Sequence, residues 1–123
     1  MVSSLAFAAN PGHTITTTPE TARVTVRFKG EVVADSTRAL RLQEASYPAV
    51  LYIPRDDLKL EHFIDASHQT KCPFKGTARY WTLTGKSGQA VNAVWGYDNP
   101  FDQVAQIDRH VAFYPDQVEI VVG

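Results

Sequence analysis

The run Thr70-Lys71-Cys72-Pro73-Phe74-Lys75-Gly76 sets the single thiol of a 123-residue chain between two lysines. Positive charge beside a thiol favours the nucleophilic thiolate wherever the side chain meets solvent, and His68 lies near enough in sequence to supply a base. Placed ahead of a proline in a turn, Cys72 equally suits a small buried hydrophobe. Gly76 allows a positive-φ turn, and Lys75 can reach an anionic group or stay solvated. Glu44 and Arg55 bracket a predicted strand over residues 50–53, where they can pair with each other or anchor a polar ligand. An arginine just past a strand-ending proline stands on a loop fixed by a rigid element, a common place for ligand contacts. His110, ahead of a closing strand, suits a general base at a pocket rim. The candidate proton-transfer or nucleophilic groups are therefore Glu44, Cys72 and His110.

A dense aromatic set surrounds these groups in sequence: Tyr80, Trp95, Tyr97, Phe113 and Tyr114. Strand alternation puts Trp95 and Tyr97 on one face, Tyr80 opposite Trp81, and Phe113 opposite Tyr114. Trp81 and Phe113 are expected in the core. Tyr80, Trp95 and Tyr114 are expected to line a pocket for a flat or cyclic ligand, with Arg55 and Lys75 orienting its polar or anionic group. His13, His62, His68 and His110 have no compact ligand spacing, and one cysteine makes no paired-Cys zinc site, so no metal is expected. With no dinucleotide or phosphate-loop fingerprint, no organic cofactor is expected either.

The elements that must position these groups read as strands. Residues 22–28 alternate apolar and polar side chains, and Lys29-Gly30-Glu31 turns them into a hairpin with residues 32–35. Residues 40–43 and 49–53 form further strands, the second ended by Pro54. Residues 58–67 fit one helical turn or an irregular strand. A long hairpin spans residues 77–84 and 89–97 around Gly85-Lys86-Ser87-Gly88. A short helix over 101–107 and strands over 110–114 and 117–122 complete the chain. Residues 1–21 are expected as a loose lead and 22–123 as a single β domain.

Composition agrees with one ordinary globular domain: 44% hydrophobic, 20% charged, net charge −1. That balance draws the chain neither to nucleic acid nor to an anionic membrane surface. A lone cysteine excludes an internal disulfide and fits a reducing, cytoplasmic setting. The opening residues lack the basic start and apolar length of a signal peptide. Oligomeric state is left open.

Taken in order, Tyr52-Ile53-Pro54-Arg55-Asp56-Asp57, the run 70–76, Ala78-Arg79-Tyr80-Trp81, Val94-Trp95-Gly96-Tyr97 with Pro100, and Val111-Ala112-Phe113-Tyr114 resemble the domain of unknown function 427 family, at times labelled nucleotidyltransferase-like. The resemblance implies a mainly β fold of compact coiled antiparallel sheets, similar in shape to the Mss4-like, β-tent group, with one or two short helical turns. The paired cysteines that hold zinc elsewhere in that group are missing. Nucleotidyl transfer would need clustered carboxylates, commonly at i and i+2 on one strand face. No acidic pair has that spacing, and the label is discounted. Two expectations follow: a small-molecule binding domain, with acid/base chemistry such as hydrolysis or isomerisation, or a non-catalytic module that binds protein or peptide through an exposed aromatic face.

Overall fold

A computed structural model describes residues 3–123; Met1 and Val2, the first residues of the expected lead, lie outside the described residues. The chain is mainly β and its strands pair antiparallel throughout. A five-residue helix α1 (Leu5–Ala9) comes first, followed by β1 (Ile15–Pro19), β2 (Val24–Phe28), β3 (Glu31–Ser36), β4 (Leu40–Glu44) and β5 (Val50–Pro54). After short 3-10 turns at Arg55–Asp57 and Leu60–His62 come β6 (Phe63–Cys72), β7 (Gly76–Gly85) and β8 (Gly88–Tyr97). A 3-10 segment Asp102–Ile107, β9 (His110–Phe113) and β10 (Glu119–Val122) close the chain.

Seven strands form one sheet in the order β1-β4-β5-β9-β8-β7-β6, and three form another in the order β10-β2-β3. The alternation read in residues 22–28 becomes β2, with Val24, Val26 and Phe28 buried. These pack with Val33, Ile53, Trp81, Leu83, Val94, Val111 and Phe113 into one core between the sheets. The other face of the large sheet carries Leu42, Tyr52, Ala78, Tyr80, Tyr97 and Ala112, packed with Val104 and Ile107 of the 3-10 segment. Trp81 and Phe113 thus lie in the first core, while Tyr80, Tyr97 and Trp95 belong with the second cluster, as alternation requires.

One feature differs from the sequence reading, and another settles what that reading left open. The sheet begins inside the segment expected as a loose lead: Ile15 to Pro19 pair with Glu44 to Leu40 along β4. Residues 58–67 hold both of the forms considered for them, a 3-10 turn followed by the start of β6, whose register slips between Asp65 and Gln69.

Candidate functional site

Glu44 ends β4, and Lys75 lies in the turn between β6 and β7. In the strand order four steps separate β4 from β7, a span of about 19 Å in a flat sheet with strands about 4.8 Å apart. Nevertheless the Lys75 ammonium donates directly to Glu44 Oε1. The sheet must therefore curl until the β6–β7 turn meets the far side, and the tyrosine-bearing face becomes the inside of that curl. His13 Nε2 lies 2.8 Å from the second Glu44 oxygen. The three side chains are largely withdrawn from water, at 16% exposure for Glu44, 12% for Lys75 and 21% for His13. Burial pushes the Glu44 carboxyl up, but hydrogen bonds and charge from Lys75 and His13 outweigh it, so Glu44 is held below the ordinary range and stays ionised.

Along the inner face, the Trp95 indole N–H donates to the Tyr52 hydroxyl at 3.4 Å. Tyr80 and Thr70 hydroxyls lie 2.9 Å apart, and the Tyr114 ring tilts against Trp95 at 4.6 Å. Burial raises the Tyr52 and Tyr97 phenols well above their usual value, with Glu44, Cys72 and Tyr80 adding to the effect. Burial, then the neighbouring Tyr80 hydroxyl, pushes Tyr114 up to about 12. At neutral pH these phenols are uncharged hydrogen-bonding groups. Cys72, half-buried, packs against the same cluster. The face thus offers stacking surfaces and neutral hydroxyls, with a compensated carboxylate at one end.

Glu44, Lys75, Cys72, Tyr80, Trp95 and Tyr114 are brought to this face or its rim, and Arg55 and His110 are not. Glu44 and Arg55 do bracket β5, but they form no ion pair. The strand between them is five residues long, about 16 Å at 3.3 Å per residue. Arg55 instead lies over the Trp81 ring at 4.9 Å and pairs with Asp98 at 2.6 Å. Arg79 meets the same ring and the same carboxylate. Burial pushes Asp98 up, and the Arg79 and Arg55 guanidiniums outweigh it and hold it low. His110, with Nδ1 2.8 Å from the Asp108 carbonyl, lines with Arg55 a separate cleft of about 280 Å³. The expected pairing of Arg55 with Lys75 around one ligand is therefore not formed.

Sequence reasoning missed Tyr52, Tyr97 and His13 as site residues. The first two carried a legible signal, since Tyr52 lies in a strand beside Ile53 and Tyr97 shares the face of Trp95. His13 carried none. Among the described residues no group of three or more His, Cys, Asp or Glu side chains could hold a metal ion. No helix among the described residues is long and apolar enough to cross a membrane.

Residues 16–123 match the family model described as Domain of unknown function (DUF427). The chain belongs to the DUF427 family. The match begins inside β1, so the DUF427 domain includes the strand that pairs with the Glu44-bearing β4. No curated protein matches the chain.

Proposed function

We propose that this DUF427 domain binds a small, flat, polar or anionic molecule inside the curl of its large sheet. The observation that supports the reading is the Glu44–Lys75 contact at the end of the tyrosine-bearing inner face. A ring stacks on Trp95 and Tyr114, hydroxyls of Tyr80 and Thr70 bond its polar edge, and Lys75 turns from Glu44 toward an anionic group. If the ligand is turned over, Glu44, ionised while Lys75 and His13 hold it, is the group positioned to exchange a proton with it. An interaction module with an exposed aromatic face has less support, because Tyr114 alone of this set is exposed while Tyr52, Tyr80 and Tyr97 are buried.

The test is a thermal-shift screen against a metabolite library. A true ligand at 100 times its Kd stabilises by about 2.7 kcal/mol. Its shift should shrink in Lys75→Ala and Tyr80→Phe and persist in Arg55→Ala. Hits with equal shifts in all three variants would overturn the assignment.

A further inference from the structure

Residues 3–13 run from α1 into the turn before β1, and their contacts converge on one place. Ser4 Oγ donates to the Pro73 carbonyl. The Ser4 backbone N–H donates to Gln103 Oε1 at 3.0 Å, and Gln103 Nε2 returns a bond to the Ser4 carbonyl at 3.2 Å. Ser3 Oγ donates to the Asp102 carboxylate at 2.9 Å. Phe7 meets the Phe74 ring edge-on at 5.1 Å, and the His13 imidazole stacks on that ring at 3.8 Å, with 12° between planes. His13 also reaches Glu44. One short segment thus ties together the β6–β7 turn, the end of β4 and the 102–107 segment, the three parts that meet where the large sheet closes on itself.

The helix of this segment cannot be what holds it down. Five residues are far too few for an independently stable helix, α1 contains no buried residue, and Leu5 is 84% exposed. Attachment rests on two rings, a few polar side-chain bonds and the His13–Glu44 contact. Local opening of such a segment costs much less than unfolding the sheets beneath it.

We propose that residues 3–13 form a strap that closes the Glu44–Lys75 end of the inner face and swings away to admit a ligand, so that His13 and Phe7 control access to the site. The functional sense of the strap rests on the binding reading above, but its opening can be read with no ligand at all. Cys72, the only thiol, ends β6 directly before Pro73, whose carbonyl Ser4 holds, and packs against the inner cluster, so its alkylation by iodoacetamide near neutral pH reports strap position. In the full chain, Phe7→Ala and His13→Ala should each raise the alkylation rate severalfold, with Leu5→Ala at the parent rate. Equal rates in all four proteins overturn the strap. Hydrogen exchange on the unmodified chain keeps the test independent of variant folding. Amides of residues 5–13 that exchange well before those of β2 and β3 support the strap, and exchange of both together overturns it. Failure of the ligand screen leaves both readouts intact, so the two proposals fail separately.

Discussion

With its side chain only 12% exposed and its ammonium committed to Glu44, Lys75 cannot be removed without leaving a carboxylate that is both partly buried and short of a donor. The cost of breaking such a pair by deleting one partner exceeds what the pair contributes as a whole, since the orphaned charge keeps its desolvation penalty. Lys75→Ala should therefore lower unfolding free energy by about 1–3 kcal/mol, and adding Glu44→Gln should recover part of that loss. Urea unfolding of the four proteins in the cycle measures it, and strictly additive losses would show that His13 alone compensates Glu44. Local sequence could name Glu44 and Lys75 as ionic candidates. It could not pair them, because the partner of each is set by sheet curvature, a property of the assembled strands and not of any window of residues.

Gly96 shows the same division at the level of the strand. It sits in β8 between Trp95 and Tyr97 and faces Val111 in register on β9. A methyl group added there would lie 2.5 Å from the His110 carbonyl oxygen and 3.4 Å from the Trp81 ring. The carbonyl is backbone, held in the β5–β9–β8 ladder, so it cannot step aside as a long side chain would. Gly96→Ala should destabilise by about 1–3 kcal/mol through overpacking, seen as a lower urea midpoint at unchanged slope; a parent-like midpoint would mean that β9 yields freely. β2 was legible because its burial is one-sided and alternation survives, whereas β7 and β8, buried on both faces, were legible from their aromatic and β-branched residues and the glycine-bounded turn between them. β1 was not. Its Ile15-Thr16-Thr17-Thr18-Pro19 is an edge strand with mostly exposed side chains, so hydrophobic periodicity, the signal used to find strands, is absent there. β6 was half legible for two reasons: it is the opposite edge of the same sheet, and its register shift breaks the two-residue period.

Across the whole molecule, the carboxylates of Glu44, Asp57 and Asp98 act together on acid stability. For each, burial raises the pKa, yet bonds to cationic neighbours outweigh it and leave the folded value below the ordinary 4.5 for Glu and 3.8 for Asp. Below those ordinary values the unfolded chain takes up protons that the folded chain still refuses, so protonation favours unfolding. Stability from these groups is complete above about pH 4.5 and is lost as pH falls through the lowered folded values. A pH series of urea midpoints should fall steeply below that range, and Glu44→Gln should flatten the fall; an equal slope in the variant would assign the effect to the other carboxylates held low, Asp57 and Asp98 with Glu20 and Asp35. The large sheet that these charges brace is itself joined at a narrow place. β5 and β9 share only two register pairs, Ile53 with Val111 and Pro54 with His110. Everything on one side of that join comes from the first half of the chain, and everything on the other side from the second. The hairpins of each half need only short loops to close, whereas the join must wait for two distant stretches to find each other. The chain is thus expected to assemble as two separate ribbons first, with the Glu44–Lys75 contact acting late, as the clasp that fastens one ribbon to the other.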